Sequence, residues 1–237
     1  MTQAPKKVAV VTGASQGIGA AVVDGYLRQG WSVIANSLTI KPSDNPDVAT
    51  VAGDVSDPTT AEAIVVTAIE RFGRLDTLIN NAGVFISKPF TEYSARDYAL
   101  VTAVNVTGFF LVTQRAIAAM LKRGSGHVVS ITTTLVDFAD SSVPSVLTSL
   151  TKGGIASATK SLAIEYARKG IRVNAVAPGV IQTPMHPPES YEADVRREPI
   201  GRVGDASDIV SAILFLESSP FITGEIIHVD GGQIAGR

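Results

Sequence analysis

Short β-branched or apolar runs alternate with longer segments of helical period along this chain. The runs Val8–Thr12, Trp31–Ala35, Val48–Val51, Leu75–Ile79, His127–Ile131, Ile171–Ala177 and Ile226–Val229 predict seven strands. Between them, Ala20–Gln29, Ala61–Phe72, Tyr98–Leu121, Leu147–Arg168 and Ala206–Leu216 predict helices. In the second of these, Ile64, Val65, Ala68, Ile69 and Phe72 fall close to a 3.6-residue period. Glycines 30, 73, 124 and 170 follow four of the helical segments, as left-handed caps require. The strand runs are apolar at consecutive positions, so both faces of the sheet are covered. Right-handed crossovers then give an α/β fold of Rossmann type: a doubly wound, mainly parallel seven-stranded sheet with helices on both faces. The pattern is continuous over 1–237, which predicts one domain. It breaks only at Thr183–Pro199, where Pro184, Pro187, Pro188 and several charges predict a lid-like segment.

Composition narrows the function classes. With 20 basic and 22 acidic residues the net charge is −2, without the basic excess of a nucleic-acid surface. There is no cysteine, which excludes disulfides and thiolate metal sites. His127, His186 and His228 are too far apart to form a spaced ligand set, so no metal is expected. No run approaches the ~20 apolar residues of a membrane helix. The polar start, Met1 to Lys7, leads into Val8–Val11, too brief for a signal-peptide core. A cytoplasmic protein with neither membrane nor nucleic-acid partners is expected.

The first strand is followed by Thr12-Gly13-Ala14-Ser15-Gln16-Gly17-Ile18-Gly19 and then the first helix. Glycines here let the backbone turn tightly and approach a pyrophosphate, while the helix start offers free N–H groups and a positive dipole end. The spacing is G-x-x-x-G-x-G, not G-x-G-x-x-G. Further ordered motifs follow: Asp54-Val55, Asn80-Asn81-Ala82-Gly83, Asn105 in Asn-Val-Thr-Gly, Lys152, Arg172-Val173-Asn174-Ala175-Val176-Ala177-Pro178-Gly179, and Thr223-Gly224-Glu225 with Val229-Asp230-Gly231-Gly232. With these motifs nearly the whole chain resembles the classical short-chain dehydrogenase/reductase family. The resemblance implies a nicotinamide dinucleotide held by Gly13, Ser15, Gln16, Gly17, Ile18, Gly19, Ser37, Asp54, Val55, Asn81, Ala82, Gly83, Lys152, Pro178, Gly179 and Ile181. It also implies a homo-oligomer, most often a tetramer. The long helices would pair through small residues such as Ala116, Ala118, Ala119, Ala156, Ala158 and Ala163.

An NAD-preferring chain carries a carboxylate at the end of the second strand. By the family's spacing that position is Ser37, flanked by Asn36 and Leu38, with no acid to repel a 2′-phosphate. Against this, no arginine stands there and Gln16 occupies a turn position where many NADP-dependent relatives carry a basic residue, although Lys41 could reach from the loop. NADP(H) is favoured over NAD(H).

The resemblance further implies hydride transfer between nicotinamide and a small carbonyl or alcohol, helped by a Ser, a Tyr, a Lys and an Asn. Lys152 fits the lysine and Asn105 the asparagine. The serine position falls on Thr133, and the loop after it is about two residues longer than in the family. Four residues before Lys152 stands Thr148, where the family has tyrosine. A phenol, of pKa ~10, can be brought towards working pH by a neighbouring ammonium, whereas an aliphatic hydroxyl cannot. Three readings stay open. Another acid serves, such as Asp137, His186 or Tyr191; the chain is a slow or specialised oxidoreductase; or it binds the dinucleotide without turnover, as a sensor or partner subunit.

Overall fold

The computed structural model describes residues 5–185, 195 and 198–236. Its strands are β1 (Val8–Thr12), β2 (Ser32–Ser37), β3 (Val48–Ala52), β4 (Thr77–Asn80), β5 (Gly126–Ile131), β6 (Ile171–Pro178) and β7 (Ile226–Val229). They form one sheet in the order β3-β2-β1-β4-β5-β6-β7, every pair parallel. The helices are α1 (Gly17–Arg28), α2 (Pro58–Phe72), α3 (Ala95–Thr102), α4 (Phe109–Arg123), α5 (Val146–Tyr166) and α6 (Ala206–Ser218).

Alternation along each strand sorts side chains between two cores. Val8 and Val10 of β1 join a cluster with Ile64, Ala116, Met120 and Ala163, contributed by α2, α4 and α5. Ala9 and Val11 join the opposite cluster with Val22, Tyr26, Ile209 and Ile213, from α1 and α6. Leu78 and Val128 face the first cluster, Ile79 and Val129 the second. Burial on both faces is the reason these strands read as unbroken apolar runs.

Three local expectations need correction. Tyr98–Leu121 is not one regular helix: α3 passes into a π-helical turn, Ala103–Gly108, before α4 resumes. Such one-turn bulges shift side-chain register and recur at functional sites, and this one carries Asn105. The fourth strand begins at Thr77, not Leu75, although Leu75 is fully buried. Ala116, Ala156 and Ala163 are buried in the core, so they are not the surface through which helices of two copies pair.

By length and composition the stretch Ala95–Arg123 is apolar enough to cross a membrane. It nevertheless buries Val101, Val112, Ala116, Ile117 and Met120 in this core and carries Arg96, Asp97, Arg115, Lys122 and Arg123.

Candidate active site

Strand order reverses between β1 and β4, because the chain winds outwards to β3 before returning. Beyond the carboxyl ends of the strands this leaves a crevice, where open α/β sheets bind ligands. Here it is a cavity of about 650 Å³, the size of a small-molecule site.

At one end lies the start of α1. Gly13 and Gly17 have φ of 64° and 56°, the left-handed region that favours glycine. Gln16 caps α1 without any side-chain bond, so the free N–H groups of the first turn have no side-chain acceptor. By contrast, Asp57 caps α2 and Ser94 caps α3, each through its side chain. Gln16, Gly17 and Ile18 line the cavity, with Ser15 and Ser37 beside them. The Ser15 and Ser37 hydroxyls share a 2.9 Å hydrogen bond. Gly19 does not line the cavity; it lies behind the turn, where a Cβ would meet the Gly13 carbonyl and come within 2.6 Å of the Asn81 amide. Its role is close packing of helix against turn.

The turn is held from β4. Thr12 Oγ1 accepts N–H bonds from Asn81 (3.1 Å) and Ala82 (3.0 Å), and Asn81 Nδ2 donates to the Thr12 and Gly13 carbonyls (3.0 and 3.1 Å). Asn81 is thus a structural tie between strand ends as well as a cavity residue. Asp54 and Val55 line the outer wall, and Asp54 Oδ1 accepts from the N–H and Oγ of Ser56, both at 2.8 Å. Pro178, Gly179 and Ile181 line the side next to β6.

Thr133, Thr148 and Lys152 also line the cavity. Lys152 is 8% exposed, and its Nζ donates to the Ile131 carbonyl at 2.7 Å. Burial lowers its pKa to about 8, since water no longer supports the charge. Gly83 makes room: a Cβ there would come 3.2 Å from Nζ. Thr148 lies one turn earlier on the same face of α5. It is 4% exposed, and its Oγ1 is buried with no hydrogen-bond partner. Thr133 Oγ1 accepts from the Leu135 N–H at 3.3 Å, which leaves its own proton to donate. Asn105 does not line this cavity. It sits behind, its Oδ1 accepting from Val84 N–H (2.8 Å) and its Nδ2 donating to the Val84 carbonyl (3.1 Å) and Thr151 Oγ1 (3.2 Å). It anchors the segment after Gly83 to the π turn.

Of the alternative acids, Asp137 is turned away from the cavity and binds His228 Nε2 at 3.0 Å. His186 and Tyr191, and most of the lid-like segment, lie outside the described residues. Thr183, Pro184 and Met185 do line the cavity; Lys41 does not. Of the apolar wall formed by Phe85, Leu135, Val143 and Met185, Met185 belongs to the lid-like segment read from sequence, whereas Leu135 and Val143 carry no signal there. Nor does Gln233, which accepts from Thr134 Oγ1 at 2.6 Å and closes the floor from the far end of the chain. No local pattern announces a contact between residues 99 apart. Thr12 did carry a signal, as the hydroxyl residue just before Gly13.

Comparison with known proteins agrees with this arrangement. Residues 13–233 match the family described as enoyl-(acyl carrier protein) reductase. The chain is 33% identical to the 3-oxoacyl-[acyl-carrier-protein] reductase FabG of Thermotoga maritima, over 96% of this chain and 98% of that protein. It is 36% identical to the glucose 1-dehydrogenase of Gluconobacter oxydans, over 97% of this chain and 92% of that protein. Among solved structures it is similar to ElxO with NADP bound, with a TM-score of 0.91, 29% identity, and coverage of 98% of this chain and 100% of that one. By this match over nearly its whole length, the chain belongs to the short-chain dehydrogenase/reductase family of NAD(P)-dependent oxidoreductases.

Proposed function

We propose that this chain reduces a small carbonyl compound, or oxidises the matching alcohol, with NADP(H). One observation carries the reading: a single cavity runs from the uncapped start of α1 to the Thr133–Thr148–Lys152 cluster. A dinucleotide fits this shape. The N–H groups of Ser15 to Ile18 would hold the pyrophosphate, as an uncapped helix start favours. Ser37, Asp54 and Val55 would receive the adenosine, and Asn81, Ala82 and Gly83 offer small side chains along its path. Lys152 would bond the second ribose, with Pro178, Gly179 and Ile181 around the nicotinamide. When bound, the nicotinamide supplies or accepts the hydride. The protein orients the substrate oxygen through Thr133 and Thr148, excludes water with its apolar wall, and holds the proton inventory at Lys152. Asn105 acts as a positioning residue through Val84.

The preference for NADP(H) rests on the corner after β2. Ser15 and Ser37 present two hydroxyls there and no carboxylate, and the Asn36 amide nitrogen is committed to the Val51 and Gly53 carbonyls (2.9 and 3.2 Å). Exposed apolar side chains Val106, Phe110 and Leu150 form a face suited to a second copy, and we read the chain as a cytoplasmic homotetramer of one domain per subunit. The relatives are named as reductases and dehydrogenases, which disfavours binding without turnover. The test is oxidation of NADPH, followed at 340 nm, with a panel of aldehydes, ketones and 3-oxoacyl thioesters. Substrate-dependent turnover supports the reading, and tight NADPH binding with no turnover across the panel contradicts it.

A further inference from the structure

Among the described residues that line the cavity, only Asp54 and Lys152 are ionisable. Asp54 follows β3, whereas Lys152 is bonded to the last residue of β5. Four strand steps separate them, or about 19 Å at ~4.8 Å per step. The described tyrosines are elsewhere: Tyr26 donates to Glu217, Tyr93 to the Ile86 carbonyl, and neither Tyr98 nor Tyr166 lines the cavity. Glu198 accepts from the Val180 N–H at 3.1 Å and does not line the cavity either. Lys152 is therefore the one ionisable side chain, among the described residues, at the end where the carbonyl would lie.

We propose that Lys152 itself exchanges the proton with the substrate oxygen, and that the Thr148 hydroxyl stands between them as the hydrogen-bonding relay. The proposal rests on the carbonyl/alcohol reading above. In reduction the carbonyl carbon gains a hydride and the π pair moves onto oxygen. That oxygen takes the Thr148 hydroxyl proton, while the Thr148 oxygen takes a proton from the Lys152 ammonium, directly or through one water. The Nζ–H bond breaks, an O–H bond forms on the product, and a neutral amine remains, to be reprotonated from solvent. Oxidation runs the same transfers backwards and needs the neutral amine at the start.

Three features fit this role. A relay needs a donor and an acceptor that are not already spent; no protein group bonds Thr148 Oγ1, and because that atom is buried without the substrate, the relay requires a turn about its χ1 when the substrate enters. The lysine tolerates either charge state, because a neutral amine still donates to the Ile131 carbonyl. Burial brings its pKa to about 8, near the working range of a general acid. No charged neighbour sets that value: desolvation is its sole cause. The charged groups on elements packed against α5 are engaged or distant. Arg172 of β6 bonds the Leu216, Glu217 and Ile222 carbonyls, Asp97 of α3 bonds Lys88 and Ser94, and Asp137 after the Thr134–Val136 turn pairs with His228. Arg96 lies on α3 beside Asp97, while Lys160, Glu165, Arg168 and Lys169 lie two or more turns beyond Lys152, and none of them lines the cavity.

The test combines pH profiles of kcat/KM in both directions with the reactivity of Nζ in the cofactor-free protein. Acetic anhydride labelling of Lys152 across pH, quantified by mass spectrometry, is expected to titrate near pH 8, not at the ~10.4 of a free lysine. Reduction should fall tenfold per pH unit above the same midpoint, and oxidation should rise to a plateau beyond it. Lys152→Arg keeps a cation that does not titrate in this range, so its reductive break should vanish. Lys152→Met should lower kcat by ~10²–10⁴-fold. Thr148→Val should lower kcat while leaving the labelling midpoint in place. A break near pH 8 that survives in Lys152→Arg, or a labelling midpoint near 10, overturns the proposal. A parent chain that transfers no hydride to any carbonyl would instead sink the functional reading, and the labelling midpoint still judges the amine.

Discussion

Replacing Thr148 by valine exchanges one buried hydroxyl for a methyl group of nearly the same volume. Thr148 lies in the first turn of α5, is 4% exposed, and leaves its Oγ1 without a partner. A buried polar group left unsatisfied costs about 1–3 kcal/mol, and that penalty disappears in the variant. Threonine and valine are both β-branched and have similar helix propensities, so no compensating loss in rotamer freedom is expected. No cavity is opened either. The cofactor-free variant should be more stable than the parent by about 1–2 kcal/mol. For a chain of this size each kcal/mol moves the midpoint by about 2–4 °C, so Tm should rise by about 2–8 °C. Calorimetry and urea midpoints measure this, with Thr148→Ser as a control that keeps the hydroxyl, loses a methyl and should be less stable. The same variant should be slower in catalysis, the usual sign of a polar group kept for function at the expense of stability. A Thr148→Val protein less stable than the parent by 1 kcal/mol or more would refute the reasoning, since it would mean that the hydroxyl is well bonded before substrate arrives.

Other consequences follow from the same geometry. Gly13→Val places a side chain at a φ of 64° and within 2.9 Å of the Ala82 Cα, so calorimetric titration should find NADPH affinity reduced at least tenfold; unchanged affinity would move the phosphate site elsewhere. Ser37→Asp should turn the preference towards NADH, because a carboxylate bonds ribose hydroxyls and repels a 2′-phosphate; an unaltered ratio of the two Kd values would contradict the assigned corner. Acid should weaken the fold through His127, which is buried and bonded to Glu217, Arg172 and Asn174. Burial holds its folded pKa below the ordinary 6.5, so the unfolded chain binds the proton more readily. Its contribution is complete above about pH 6.5 and is lost as pH falls towards the folded pKa. Urea midpoints between pH 8 and 5 should therefore fall less steeply in His127→Gln, and parallel curves would count against this role.

The sheet was legible because burial on both faces leaves a plain trace in sequence, runs such as Val8–Val11 and Val128–Val129. The phosphate turn was legible because positive φ at Gly13 and Gly17 demands a residue type. The π turn was not: a single bulge around Asn105 leaves the apolar spacing on either side close to helical, so α3 and α4 read as one segment. Asp137 read as an available acid because its partner His228 is 91 residues away and is brought beside it only by the fold. The bonded set of Tyr26, Thr77, His127, Arg172 and Glu217 is invisible for the same reason. Burial alone would push the Glu217 pKa up, but hydrogen bonds from His127 and Thr77, with Arg172 nearby, leave it below its ordinary value. At the substrate end, the sequence placed Thr148 where a tyrosine stands in relatives. Only the fold adds that its hydroxyl is buried and unsatisfied, one turn before a buried lysine that no acid compensates.

The central claim is that hydride moves in this cavity although no phenol stands before Lys152. It is tested most directly with NADPH stereospecifically deuterated at C4 of the nicotinamide, in separate 4R and 4S preparations. Each is incubated with the parent chain and the carbonyl panel, and the alcohols are examined by mass spectrometry and NMR. One deuterium per product molecule is expected at the carbinol carbon, from one of the two preparations only, with its incorporation slowed ~10²–10⁴-fold when Lys152→Met replaces the parent. NADPH bound in the cavity with no deuterium in any alcohol would contradict the claim.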